Sequence, residues 1–362
     1  MKDYSKGITP VIAIVLLLMI TIAIVGFSFT FLSGMFQTTT ETTGKQIAHQ
    51  LGAMSSCMQL DGVSFDKVYV RNCGSGSLYN FSIYVDGESI AVTNNPIVGE
   101  SKAGELQLAK GVSGDAIKVT SPSAQVQLSL KHCTIDRLLP VSLVGYWMLD
   151  NDSARDYSGF GNNGVYYGGI NCSAAGKFGQ ACAFDGINDY IQIPYSSSLN
   201  TTGKNMTVSA WIKVLGDTNG TVHDEIIVGR CRYNDCPSYD YSTGSWNIAF
   251  SFNNKYVAFQ GYLADGTTTF ISQSATNSIN LNTWYHVTAV FDSSYTRLYL
   301  DGIQVDSDSH SSQGIRDSGA LTRIGKLKDN AGVVFNGSID DVAIWNKALS
   351  IDEIRKAYTK NC

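Results

Sequence analysis

Hydrophobic and polar positions follow three rhythms along this chain. The first is a long apolar run. No charged residue lies between Lys6 and Glu41, and Val11 to Leu32 is apolar enough to form a helix. At about 1.5 Å per residue that helix is long enough to cross a hydrocarbon layer. Lys2 and Lys6 precede it. The positive-inside tendency therefore predicts a cytoplasmic N-terminus, with everything after about residue 40 outside the cell. The polar, threonine-rich Thr38 to Gly44 stretch marks the exit from the membrane, and Lys45 to Met54 is suited to prolonging the helix outward.

From Cys57 to Asp136 the rhythm becomes period two. Lys67 to Asn72 and Leu78 to Val85 alternate, the second ending at Asp86-Gly87, and Ile117 to Thr120 and Val126 to Leu130 read as further strands. Asp-Gly between alternating runs is a strong hairpin signal. Short strands and turns over residues 55–138 predict a small β-sandwich. Past Leu143 the alternation continues with tryptophans in strand contexts, at Trp147, Trp211, Trp284 and Trp345, which are expected in the core. Leu298 to Gly302 marks another hairpin. Ser350-x-x-Glu353 is a capping box opening a helix over Ile351 to Tyr358, with Ile351, Ile354 and Tyr358 on one face.

Composition sharpens this picture. The 362 residues leave room for two domains plus an anchor, and only 16% are charged, with Gly, Ser, Thr, Asn and Tyr plentiful, which suits all-β structure. A net charge of −5 and the lack of a Lys/Arg cluster argue against nucleic acid as a partner. Of eight cysteines, Cys172 with Cys182 and Cys231 with Cys236 form close pairs, and no CxxC or nearby His completes a zinc-like set. Disulfides and an oxidising exterior follow. Cys57, Cys73, Cys133 and Cys362 remain with three open connectivities. Sequons at Asn80, Asn151, Asn171, Asn200, Asn205, Asn219 and Asn336 agree weakly with an exterior glycoprotein.

Two stretches carry resemblances. Lys6-Gly7-Ile8-Thr9-Pro10-Val11-Ile12-Ala13 resembles the start of archaeal type IV pilin-like proteins. The resemblance implies cleavage by a prepilin peptidase between Gly7 and Ile8, so that 1–7 is a leader and 8–54 a transmembrane or filament-core helix with its exit. The other reading is an uncleaved signal anchor. The 55–138 region resembles immunoglobulin-like β domains of archaeal surface and filament proteins in overall pattern. Within 139–362, Val144-Gly145-Tyr146-Trp147, Phe184-Asp185-Gly186, Trp284-Tyr285-His286-Val287 and Asn336 to Ser350, in this order, resemble the laminin-G-like, concanavalin A-like jelly-roll family.

The jelly-roll resemblance implies a structural Ca²⁺ near the Phe-Asp-Gly turn and the late acidic pair. The matching residues are Asp185 and Asp340, with Asn188, Asp189 and Asp341 close in sequence, and their hard oxygens suit calcium. Alternatively, Asp185 and Asp340 only cap turns. Tyr239, Tyr241 and Trp246 lie beside the Cys231–Cys236 loop, outside the family pattern. They form a candidate ligand loop, since a rim of aromatics with Asp and Asn suits a sugar face; the plainer reading is a disulfide-braced loop.

Catalysis is not expected. Past Leu143 only Glu225 and Glu353 are glutamates, Glu353 belongs to the helix cap, and no strand carries the paired carboxylates that glycoside hydrolysis needs. The sequence thus predicts a mainly β, non-enzymatic surface protein. It is an adhesin or pilin-like filament subunit presenting a glycan- or protein-binding jelly roll. A purely structural surface component is the second reading, and a glycoside hydrolase the third.

Overall fold

The structure, a computed structural model, describes residues 57–130, 134–150, 153–200, 203, 205–216, 224–231, 244–316, 319–327 and 334–360. The leader cleavage point at Gly7 and Ile8, the apolar helix, Tyr239, Tyr241, Cys133, Cys236 and Cys362 lie outside these residues. Among the described residues no helix is long and apolar enough to cross a membrane.

The first unit consists of two small antiparallel sheets. Strands β1 (Met58–Val63), β2 (Lys67–Asn72) and β5 (Ala103–Gln107) form one sheet, in the order β1-β2-β5. Strands β3 (Ser82–Val85), β4 (Glu88–Ile90), β6 (Ala116–Thr120) and β7 (Gln125–Ser129) form the other, in the order β4-β3-β6-β7. Period-two alternation turns Val68 and Val70 of β2, Ile83 of β3 and Ile117 and Val119 of β6 inward, where all are fully buried. The Asp86-Gly87 turn has both residues at positive φ (50° and 86°), as a two-residue type I′ hairpin requires. A Cys57–Cys73 disulfide, one of the pairings the sequence leaves open, ties the start of β1 to the end of β2.

A short helix α1 (Ile135–Leu138) leads into the second unit. Its larger sheet runs β10 (Asn171–Ala175), β11 (Gln180–Asp185), β22 (Asn336–Trp345), β13 (Met206–Val214), β18 (Trp284–Phe291), β19 (Tyr295–Leu300) and β20 (Ile303–Ser309). Strand β8 (Leu143–Trp147) also pairs with β22. The opposing sheet runs β17 (Thr269–Gln273), β16 (Tyr256–Tyr262), β15 (Gly244–Ser251), β14 (Asp224–Cys231), β21 (Leu321–Ile324), β12 (Tyr190–Ile193) and β9 (Val165–Tyr167). Between them lies a core that includes Trp147, Phe250, Phe259, Phe291 and Phe335. The expected Cys172–Cys182 disulfide joins β10 to β11 and is fully buried. Helix α2 (Ile351–Thr359) opens on the predicted capping box: Ser350 Oγ accepts from the Glu353 N–H and the Glu353 carboxylate accepts from the Ser350 N–H.

The tryptophans divide differently from the expectation. Trp147 is core, and Trp345 packs in a second apolar layer beneath α2, its indole N–H donating to the Leu139 carbonyl at 3.1 Å. Trp246 is not a loop residue. It lies in β15, 1% exposed, with its ring edge-on to Phe259. The reason is local: Trp246, Ile248 and Phe250 alternate inward with Asn247 and Ala249, the same period-two rule as in neighbouring strands, whatever precedes them. Trp211 and Trp284 depart in the other direction. Ala210 and Ile212 of β13 face the core, so Trp211 between them faces out from the larger sheet. Trp284 lies on the same outer face and is only half-buried.

Candidate functional site

The outer face of the larger sheet meets the small sandwich, with α2 at the joint. Tyr358 of α2 packs edge-on against Phe65 (5.6 Å between centroids), donates its hydroxyl to the Gly111 carbonyl at 3.3 Å, and accepts at its carbonyl from Ser113 Oγ at 3.2 Å. Arg355 lies 4.5 Å over the Phe65 ring. A side chain at Gly111 would come within 2.5 Å of Phe65 and 2.7 Å of Tyr358, so only glycine permits this approach.

Beside this joint a cavity of about 430 Å³ opens between the two units. Its walls come from two hairpin tips and one sheet face. The Asp86-Gly87 tip and Glu88 project from the small sandwich. The Asp301-Gly302 tip between β19 and β20, again with two positive φ angles (50° and 74°), projects from the jelly roll. Trp211, Trp284 and Lys177 line the floor. Interfaces between domains are where ligand sites of this size concentrate.

The chemistry of the walls is mixed. Asp86 Oδ1 accepts from the N–H groups of Asp115 and Ala116, both at 2.9 Å, which fixes its carboxylate. Asp301 Oδ1 accepts from the His286 N–H at 2.8 Å. Burial pushes the Asp301 carboxyl up to about 6, against the pull of that N–H and of Lys177. Lys177 reaches across the joint to donate to the Ser113 carbonyl at 3.1 Å and lies 5.1 Å over the Trp211 ring. Burial lowers its ammonium from the ordinary lysine range, opposed by Asp86, Asp301 and Glu88. The Trp211 indole N–H is buried and has no acceptor among the described residues. A half-buried indole, carboxylates and an ammonium are the groups that hold a sugar by its C–H face and its hydroxyls.

The five candidate calcium residues do not come together. Asp185 pairs with Asn336 on β22, four residues before Asp340. At about 3.4 Å per residue that is roughly 14 Å along the strand, whereas the oxygens around one Ca²⁺ lie within about 5 Å of each other. Each carboxylate also accepts from donors of the protein itself. Asp189 accepts from the N–H groups of Gly169 (2.6 Å) and Asp185 (3.0 Å), and Asp185 from those of Ile187 (2.8 Å) and Asn188 (3.2 Å). Asp340 Oδ2 accepts from the N–H groups of Lys177 (2.9 Å) and Phe178 (3.2 Å). Asp341 accepts from the Tyr146 hydroxyl and the Lys360 ammonium, both at 2.6 Å. Asp185 and Asp340 both accept from backbone N–H groups, as the turn-capping alternative expects. Among the described residues no three His, Cys, Asp or Glu side chains group as a metal site.

A second polar surface lies on the outer face of the seven-stranded sheet. Gln192, Arg323, Gly229, Asn247 and Gln260 stand opposite one another across five strands. Arg323 donates to Gln192 Oε1 at 3.0 and 3.2 Å, and Gln260 to Asn247 Oδ1 at 3.3 Å. This row is largely satisfied by its own members. The two glutamates weighed for catalysis have structural partners as well: Glu225 accepts from the Asn336 N–H at 3.1 Å, and Glu353 caps α2 and pairs with Lys347.

Two stacked antiparallel sheets with this strand order form a jelly roll of the concanavalin A-like kind. Consistent with that class, residues 185–355 match the family described as the concanavalin A-like lectin/glucanases superfamily. The crystal structure of the binding domain of Paraclostridial Mosquitocidal Protein 1 shares the fold, with a TM-score of 0.50 at 19% identity over 61% of this chain and 52% of that one. The receptor-binding domain of botulinum neurotoxin C/D mosaic serotype aligns with a TM-score of 0.48 at 16% identity, covering 61% of this chain and 51% of that one. Domain 4 of AbnA, an extracellular arabinanase from Geobacillus stearothermophilus, solved with arabinotriose, aligns at 0.42 and 18% identity over 60% and 98% of the two chains. The chain thus spans about half the length of the two toxin domains it matches.

Proposed function

We propose that the protein is a cell-surface adhesin or pilin-like filament subunit, not an enzyme, and that it binds glycans in the cavity between its small sandwich and its jelly roll. The observation that carries this reading is the cavity wall itself: the half-buried Trp284 indole beside Trp211, with Asp86, Asp301 and Lys177 around them. A jelly roll shared with the binding domain of Paraclostridial Mosquitocidal Protein 1 is in keeping with it. The apolar segment over residues 8–54 anchors the chain or packs in a filament core, with the disulfide-bearing units outside the cell.

The test is a glycan array probed with the purified full chain. The wild type is expected to retain a defined set of saccharides. Trp284→Ala is expected to weaken them by about tenfold or more, since one aromatic–sugar contact is worth roughly 1–3 kcal/mol by analogy with base stacking. A wild type that retains nothing would favour the purely structural reading. An unchanged set with Trp284→Ala would move the site elsewhere. Mass spectrometry of the N-terminal peptide checks the anchor: a mature start at Ile8 marks a pilin-type subunit, and an intact Met1 a plain membrane anchor.

A further inference from the structure

We infer that the Lys360 ammonium and the Asp341 carboxylate condense to an intramolecular amide that welds the end of the C-terminal helix to the strand beneath it. The two groups are 2.6 Å apart, Nζ to Oδ2, and their side chains are 6% and 4% exposed. An ion pair this dry has given up most of its hydration, and burial keeps bulk water from between the two groups.

The surroundings favour the reaction. Asp340 and Asp341 sit where one edge of β22 changes partner, from β11 at Ile339 to β8 at Val342. The chain there is kinked, with Asp341 at φ 50° and a register shift against β13. Tyr146 donates its hydroxyl to the other oxygen of Asp341 at 2.6 Å, which polarises the carbonyl that the amine attacks. Asp340, next along the strand, is fully buried, and its Oδ1 has no hydrogen-bond partner among the described residues. Burial together with Asp341 raises the Asp340 acid well above the carboxylate range. Phe178, with its ring 4.7 Å from Lys360 Nζ, closes the site from the side.

The balance is simple. A bond forms between Lys360 Nζ and Asp341 Cγ, and one Cγ–O bond breaks. The ammonium gives up two protons, and the departing oxygen leaves with both as water. No oxidant, reductant or further reactant takes part. Condensation is unfavourable between free partners in water, but groups held in contact react with effective molarities of about 10⁵–10⁸ M. The product closes a loop between positions 19 residues apart. It fixes α2, whose Tyr358 and Arg355 hold the small sandwich, so the joint beside the cavity becomes covalently braced. The bond is independent of whether that cavity binds glycans.

Peptide mass spectrometry of the full chain, purified from its native membrane or filament, decides the matter. The peptides holding Asp341 and Lys360 are expected as one branched species, lighter than their sum by one water. Lys360→Arg, which keeps the charge, and Asp341→Ala, which removes the carboxyl carbon, are each expected to yield separate linear peptides. Recovery of the two wild-type peptides unlinked, or a link from Asp341 to another lysine, would overturn the proposal. The decisive reading is made on the wild type, so no variant has to fold for it.

Discussion

His286 lies wholly buried on the outer face of the larger sheet, with its ring 5.1 Å from Trp211 and 5.9 Å from Tyr358. Burial pushes its imidazole down to about 3. The unfolded chain therefore takes up a proton between about pH 6.5 and 3 that the folded protein refuses. Its contribution to stability is complete above about 6.5 and is lost as pH falls through that window, by at most about 1.4 kcal/mol per pH unit. Asp301 works the other way: its raised pKa, about 6, means that stability falls as pH rises from about 4 to 6. Comparing urea unfolding of wild type and His286→Gln at pH 7 and 5 separates the two, and the variant is expected to lose less stability on acidification. An equal loss in both proteins would contradict the assignment. Trp246→Ala, which empties a core position, should cost about 3–5 kcal/mol in the same assay while leaving glycan recognition intact in the folded fraction. At this scale the sequence was least legible. Trp246 and Trp211 both stand in apolar alternation, and only the pairing register shows that one faces the core and the other the joint.

Elements were far more legible. The Asp-Gly hairpins at Asp86 and Asp301 and the capping box at Ser350 and Glu353 are read directly from residue identities, because backbone sterics and local hydrogen bonds demand those residues there. What these hairpins do together was not legible. Two tips separated by more than two hundred residues converge on one cavity, and nothing local encodes that meeting. Removing the Ser350 hydroxyl with Ser350→Ala should destabilise the fold by about 1 kcal/mol. Hydrogen exchange in Ile351–Thr359 should quicken first. Replacing Cys172 and Cys182 together by Ala opens a short closed loop and is expected to cost about 3 kcal/mol in chemical denaturation, less whatever strain the bridge carries. Retained stability would place those cysteines outside the folding core in which they are seen.

For the molecule as a whole, the two β units share one aromatic joint, built on Tyr358, Phe65 and the close approach of Gly111. Tyr358→Ala should uncouple them, so that a single calorimetric transition becomes two, while each unit keeps its own core. A transition unchanged in shape would mean that the joint contributes little. The mainly β character of both units was legible in the sequence, since period-two patterning and turn residues act within each. Their contact rests on single residues far apart in the chain and carries no pattern.

Hydrogen–deuterium exchange of the full chain, with and without the saccharide retained most strongly on the array, tests the central claim most directly. Binding in the cavity predicts slowed exchange on both walls, at 85–88 in the small sandwich and at 282–285 and 301 in the jelly roll. Slowed exchange confined to the polar row around Gln192, Arg323, Asn247 and Gln260 would contradict it and move recognition to the opposite sheet.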